Sequence, residues 1–114
     1  MHELSIASNL INIVKHATEG QEVSRVTSLR IVIGEMSNVV PDCLAFAFEV
    51  ASKGTLAEDA RIDFVEKPLV GRCLDCGTEF GIRDFLFRCP DCESPKIEVV
   101  SGREFFLESI ECEQ

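Results

Sequence analysis

The spacing of hydrophobic residues near the start of the chain predicts an amphipathic helix from Glu3 to Thr18. Apolar residues recur every three or four positions there and would form one stripe along the helix. The stripe consists of Leu4, Ala7, Leu10, Ile11, Val14 and Ala17. Gly20 is a suitable C-terminal cap, because glycine adopts the left-handed conformation at little cost. We therefore expect the stripe to cover a hydrophobic core.

Strand and helix patterns alternate after this helix. Residues 26–33 are rich in β-branched side chains and predict a strand that ends at Gly34. A second helix is predicted from Pro41, because proline suits the first helical position, where the N–H has no partner. The buried face of this helix is predicted to contain Leu44, Phe48 and Ala51, with Ala45 beside them. Segments 61–66 and 103–110 predict two more strands. The order indicates one α/β domain.

The segment 70–101 differs from its surroundings, because it is mainly polar and turn-forming and has few aliphatic residues for a core. It contains two Cys-X-X-Cys pairs separated by twelve residues: Cys73 with Cys76, and Cys89 with Cys92. Each pair can give two sulfurs to one ion, so the two pairs together match the tetrahedral four-thiolate site of structural zinc. Metal binding would also supply the stability that a missing core cannot. We predict one structural Zn²⁺ per chain in an inserted arm.

Other interpretations of the cysteine pairs stay open at this stage. Two disulfides, a rubredoxin-like iron site and a redox Cys-X-X-Cys motif are the alternatives, and softness and geometry alone do not exclude iron. A closed four-cysteine site has no open coordination position, which argues against a catalytic metal centre. The loop between the pairs is long enough to form a short hairpin, as in zinc ribbons. Gly77 follows the first pair, where the turn needs a permissive backbone.

The first three residues, Met1-His2-Glu3, form a second candidate metal site. The α-amine, the backbone nitrogen of His2 and its imidazole can chelate one ion, and three nitrogens in a plane favour square-planar Ni(II) or Cu(II). The amide of Glu3 or a carboxylate would complete the plane. Taken alone this pattern is weak evidence, and an ordinary polar His2 before a helix is the simpler interpretation. His16 lies about 21 Å along a continuous helix and cannot share the ion.

Charge and composition exclude several classes of function. The formal net charge of −9 argues against binding of nucleic acid and favours a basic partner or a cationic cargo. No apolar run approaches the roughly 20 residues of a membrane span, and the N-terminus lacks the features of a secretory signal. We therefore expect a cytoplasmic protein without a membrane partner, whose six cysteines are thiols or metal ligands. Cys43 and Cys112 are single, and no catalytic motif appears, so no enzyme is predicted.

Four features together carry a resemblance to a known family. They are the start Met-His-Glu-Leu-Ser, Ile33-Gly34-Glu35 after the first strand, the run Pro-Asp-Cys-Leu-Ala-Phe-Ala-Phe-Glu over 41–49, and the cysteine arm. In this combination the chain resembles the HypA/HybF family of hydrogenase maturation nickel metallochaperones. The resemblance implies an α+β fold, with two helices packed on a small mixed three-stranded sheet and an inserted zinc-ribbon-like arm. Residues 1–69 plus 102–114 would form the nickel-binding domain, and 70–101 the four-cysteine zinc-binding arm.

The resemblance also implies a function and partners. Ni²⁺ would be the transported cargo, bound by the Met1 amine, His2 and Glu3, while zinc would be structural. The implied partners are a GTPase accessory protein of the hydrogenase maturation pathway, the [NiFe]-hydrogenase large-subunit precursor and, for some members, urease maturation proteins. Unlike some members, this chain has no histidine in its arm, so the zinc site should be purely cysteine; Asp42 is a candidate extra carboxylate for nickel. A homodimer and a zinc-ribbon adaptor that only mediates protein contacts both stay open.

Overall fold

A computed structural model describes residues 2–114, with the side chain of His2 excluded. Over this range the chain forms two helices and six strands. In chain order they are α1 (His2–Thr18), β1 (Arg25–Gly34), α2 (Pro41–Ala51), β2 (Arg61–Lys67), β3 (Val70–Cys73), β4 (Glu79–Gly81), β5 (Ile97–Ser101) and β6 (Phe105–Glu113). Neither helix is long and apolar enough to cross a membrane, as far as the described residues show.

Three of the strands form a sheet with the order β2-β1-β6. The N–H of Ser24, just before β1, donates to the carbonyl of Glu113 at the end of β6 (2.9 Å), so these strands are antiparallel. The N–H of Glu35, just after β1, donates to the carbonyl of Lys67 at the end of β2 (2.9 Å), so these two strands end together, as parallel strands do. The α+β fold with two helices and a small mixed sheet is therefore confirmed.

The described residues divide into two compact units. The first, the helical unit, contains α1, α2 and most of the β2-β1-β6 sheet; the second, the cysteine unit, comprises Ile33–Asn38 and Glu66–Phe105. In the helical unit, α1 and α2 contact each other, and both contribute apolar side chains to the core together with β1. The buried residues include Ala7, Leu10, Val14, Val26, Leu29, Ile31, Leu44, Ala47 and Phe48. The core is aliphatic with one central phenylalanine.

The buried faces of the helices are narrower than the apolar pattern predicted. Leu4 is 43 % exposed and Ala17 is also exposed, whereas Thr18 is buried. The hydroxyl of Thr18 donates to the backbone carbonyl one turn earlier (2.9 Å), which satisfies it inside the core. In α2 the small buried residue is Ala47 rather than Ala51. The hydrophobic period identified the correct side of each helix, but fewer residues on that side are buried.

The cysteine unit has its own sheet, with the order β4-β3-β5 and β3 antiparallel to both neighbours. The loop between the cysteine pairs is long enough for a short hairpin, but it does not form one by itself. That loop contributes one strand, β4, which pairs with β3 across the first cysteine turn. The third strand, β5, follows the second pair and also joins β3. The ribbon thus forms from strands that flank the cysteine turns.

The domain boundaries stay a prediction: residues 1–69 plus 102–114 for the nickel-binding domain, and residues 70–101 for the arm. The cysteine unit contains the whole predicted arm, and it also includes residues at the ends of β1, β2 and β6. One reason is a side-chain contact: the carboxylate of Glu35 accepts a hydrogen bond from the N–H of Leu69 (2.8 Å). This contact ties the segment after β1 to the start of the arm.

Gly34 allows two backbone segments of the cysteine unit to approach closely. A Cβ atom at this position would lie 2.1 Å from the carbonyl oxygen of Gly102 and 2.7 Å from the nitrogen of Arg103, and neither backbone atom can rotate away. We expect Gly34→Ala to lower the free energy of unfolding by about 2 kcal/mol, measured by urea denaturation. Gly81→Ala is the matched control, because a Cβ there meets nothing within 4 Å. Equal stability of the two variants would contradict this prediction.

Candidate metal centre

The four predicted zinc ligands, Cys73, Cys76, Cys89 and Cys92, come together in the cysteine unit, with all Sγ atoms within 4.8 Å of one another. Two contacts between the pairs measure 3.5 Å, from Cys73 Sγ to Cys92 Sγ and from Cys76 Sγ to Cys89 Sγ. Four sulfurs at about 2.3 Å from a tetrahedral zinc ion would be about 3.8 Å apart, so the spacing fits the ion. A disulfide would need about 2.05 Å. The cysteines are free thiols arranged for a metal.

Each cysteine pair lies in a tight turn with a left-handed residue after the second cysteine. This residue is Gly77 (φ 81°) in the first turn and Glu93 (φ 62°) in the second. The N–H of Gly77 donates to the carbonyl of Cys73, and that of Glu93 donates to the carbonyl of Cys89, both at 2.9 Å. The role of Gly77 is as predicted. Sequence analysis did not predict the role of Glu93, because a left-handed non-glycine residue is uncommon.

Backbone N–H groups are directed at the sulfur of the first cysteine in each pair. The N–H of Cys76 donates to Cys73 Sγ, and those of Asp91 and Cys92 donate to Cys89 Sγ, each at 3.4 Å. Cys73 and Cys89 are both 1 % exposed. Hydrogen bonds from N–H groups stabilise a thiolate. The two buried sulfurs therefore have backbone donors already directed at them.

The pKa values of the Cys76 and Cys92 thiols are shifted in opposite directions. The hydrogen bond with Thr78 lowers the pKa of the Cys76 thiol to about 6. At Cys92 the backbone of Ser94 favours the thiolate, but the Cys73 thiol and burial outweigh it and raise the pKa to about 12. A thiolate at one position therefore makes ionisation at another more costly. Four thiolates side by side require a cation, which Zn²⁺ would supply.

Four polar residues around the cysteines were not predicted from the sequence. Asp75, Thr78, Asp91 and Ser94 form hydrogen bonds that join the two turns. The signal for them is a repeat, since Cys-X-Asp-Cys-X-Thr in the first turn matches Cys-X-Asp-Cys-X-Ser in the second. The spacing of the cysteines alone does not reveal this repeat, because the aspartate, threonine and serine side chains lie outside the set of predicted ligands.

The predicted nickel ligands lie at the start of the chain, away from this cluster in sequence. Met1 and the side chain of His2 are outside the described residues. Glu3 is half-buried in the first turn of α1, and Asp42 occupies the first turn of α2. His16 is exposed in the last turn of α1. The nickel site therefore stays a prediction.

Comparisons with known proteins place the chain in a family. A family model described as hydrogenase/urease nickel incorporation, metallochaperone, hypA matches residues 1–112. The hydrogenase maturation factor HypA of Roseiflexus sp. (strain RS-1) is 42 % identical over 114 residues, which cover 99 % of this chain and 93 % of that protein. HypA of Chlorobium luteolum is 37 % identical over 110 residues, covering 96 % and 94 %.

A solved structure is similar over almost the same length. The solution structure of the Ni metallochaperone HypA from Helicobacter pylori has a TM-score of 0.65 and 26 % identity and covers 96 % of each chain. With the family match and the four-cysteine cluster, it places this chain among metallochaperones that serve hydrogenase maturation rather than among enzymes. The chain belongs to the HypA family of nickel-incorporation metallochaperones.

Proposed function

We propose that this chain binds one Ni(II) ion at its N-terminus and delivers it for maturation of [NiFe]-hydrogenase. The ligands would be the α-amine of Met1, the backbone and imidazole nitrogens of His2, and Glu3. The observation that supports this most directly is that α1 begins at His2. The first four N–H groups of a helix have no acceptor within the helix. Nickel bound by the amides of His2 and Glu3 would therefore displace no helical hydrogen bond.

The cysteine cluster supports a separate site for the cargo. Four sulfurs are already arranged around one point, so an ion held there has no open position for exchange with a client protein. We propose that this ion is a structural Zn²⁺, one per chain. Nickel that must be handed over is better held where solvent and a partner reach it. His2 and His16 are the histidines of the chain, and His2 has the α-amine close by.

The N-terminal end of α1 also suits a site from which nickel must be released. The N-terminal end of a helix carries a partial positive charge, which disfavours a cation. The carboxylate of Glu3 in the first turn offsets part of this repulsion. These two opposing effects favour a moderate affinity for nickel, as a protein that carries the ion and then releases it requires. We propose that the receivers are the GTPase accessory protein and the hydrogenase large-subunit precursor in the cytoplasm, with urease maturation proteins as a further client.

An N-terminal extension tests this proposal directly. Nickel is titrated into the chain with Met1 at its start and into a version with residues added before Met1, and zinc is counted in both. We expect one nickel site in the first protein and loss of that site in the second, because the extension converts the amine to an amide. Both should keep one zinc. An extended chain that retains full nickel affinity would show that the amine is not a ligand.

A second function, a zinc-ribbon adaptor that only mediates protein contacts, has one observation in its favour. Leu74, Phe85 and Leu86 in the cysteine unit are 62 %, 68 % and 63 % exposed. Contiguous exposed apolar surface often marks an interaction site, and Phe85 and Leu86 are adjacent in the chain. An adaptor would support hydrogenase maturation whether or not it binds nickel. Maturation that is unaffected by the N-terminal extension, despite lost nickel binding, would favour the adaptor.

A further inference from the structure

The two cysteine turns are structurally equivalent copies of one six-residue unit. The unit Cys-X-Asp-Cys-X-Ser/Thr begins at Cys73 and again at Cys89. In each copy the N–H of the first cysteine donates to the carbonyl of the last residue, which is Thr78 in the first turn (2.9 Å) and Ser94 in the second (3.0 Å). The left-handed residue also occupies the same position in both copies. The equivalence therefore extends to the backbone.

Each turn donates one hydrogen bond to the aspartate of the other turn. The hydroxyl of Thr78 in the first turn donates to Asp91 Oδ2 in the second (2.9 Å). The hydroxyl of Ser94 in the second turn donates to Asp75 Oδ2 in the first. We call this reciprocal pair of hydrogen bonds the aspartate clasp. It joins the two turns through side chains that are not metal ligands.

We propose that the aspartate clasp holds the two turns at the spacing that zinc requires, and that its four residues are positioning residues that slow the release of the metal. This inference rests on the proposal that the cysteines bind zinc. Each turn supplies two of the four ligands, so the ion can leave once one turn moves away from the other. The clasp opposes that movement, because both of its hydrogen bonds must break first.

The electrostatics of the site give a second argument. Four thiolates and Zn²⁺ carry a net charge of −2, and Asp75 and Asp91 add two more negative charges beside it. Repulsion between these like charges disfavours metal binding unless the carboxylates also form stabilising contacts. Each carboxylate accepts the hydroxyl of the opposite turn. These donors offset part of the repulsion, and the same two hydrogen bonds join the turns that carry the metal ligands.

The rate of zinc release tests the clasp. The zinc-loaded full chain is mixed with an excess of a chromophoric chelator, and the absorbance of the zinc complex is followed. Groups that hydrogen-bond around metal ligands typically change metal affinity about 10–100-fold, so we expect Thr78→Val and Asp91→Ala each to release zinc about tenfold faster. Because both remove the same hydrogen bond, the double variant should be no faster than either single one. Ser94→Ala should accelerate release independently, through Asp75.

Two variants separate positioning from a general loss of structure. Asp91→Asn keeps an oxygen acceptor for Thr78 and should release zinc at nearly the wild-type rate. Ser101→Ala removes another hydroxyl of the cysteine unit, one that donates to the carbonyl of Pro68 (3.0 Å), and should also have no effect. Asn and Ala variants of Asp91 that are equally fast would overturn the clasp, as would effects of Thr78 and Asp91 that multiply in the double variant.

The count of zinc before the reaction distinguishes failure of the clasp from failure of the metal site. Wild-type protein that contains one zinc, and variants that release it at the wild-type rate, would refute the clasp alone. Wild-type protein that contains no zinc would refute the assignment of the four cysteines and the clasp with it. Faster release from the variants, with nearly wild-type release from Asp91→Asn, supports both.

Discussion

Replacing His2 with alanine is expected to weaken nickel binding at least about 100-fold and to leave one zinc per chain. Loss of a group that merely hydrogen-bonds to a metal ligand typically costs about 10–100-fold in affinity, so loss of a ligand should cost no less. The imidazole also closes a chelate ring with the backbone nitrogen of His2, and the remaining amine and amide hold the ion less well without it. Equilibrium titration with Ni(II), together with analysis of zinc content, measures both effects.

His16→Ala is the matched control for this experiment. His16 belongs to the same helix and is exposed, with its ring nitrogen 3.4 Å from the carboxylate of Glu19. It should bind nickel only by chance at the surface, so its removal should leave the affinity unchanged. The proposed mechanism is wrong if His2→Ala retains wild-type affinity, or if His16→Ala loses nickel to the same extent. Loss of zinc in either variant would contradict the independence of the two sites.

The helices and the central strands were predictable because their signals are local. The period of Ala7, Leu10 and Val14 identifies α1, and the β-branched run in β1 predicts a strand, which is buried on both faces. Pro41 begins α2 as expected from its missing N–H. These features depend on residues that are close in sequence. The periodic patterns of helices and strands are formed by such residues and can therefore be recognised from the sequence.

The details of the cysteine unit were less predictable because they depend on pairing between distant segments. Strands β4 and β3 have 3 and 4 residues, too few to show a period of their own. The four cysteines were nevertheless predicted as one group from spacing alone, since two residues between paired cysteines indicate a shared ion, and the structure brings the four together. The partners of the clasp are 13 and 19 residues apart, and only the folded turns bring them together. Spacing predicted the cysteine cluster but not the hydrogen bonds between the two turns.

Removing zinc is expected to unfold the β4-β3-β5 sheet while the helical unit keeps its core. Apart from Cys73 and Cys89, the buried apolar side chains described in the cysteine unit are Ile33, Leu69 and Ile82. Three such side chains contribute about 1.5–3 kcal/mol each, which is little against the entropy of ordering the segment. Structural zinc contributes apparent free energies of about 10–16 kcal/mol in small zinc peptides, more than this core can supply.

Amide hydrogen exchange after treatment with a chelator measures this effect. Protection should be lost in β3, β4 and β5 and retained in α1 and α2, and added zinc should restore it. Cys89→Ser should produce the same pattern without a chelator, because Cys89 is buried and its sulfur accepts two backbone N–H groups. Cys43→Ser removes an exposed cysteine outside the cluster and should change neither zinc content nor exchange. Persistent protection of β3 in metal-free protein would mean that the short sheet is stable by itself, and that the cysteines serve some purpose other than holding it together.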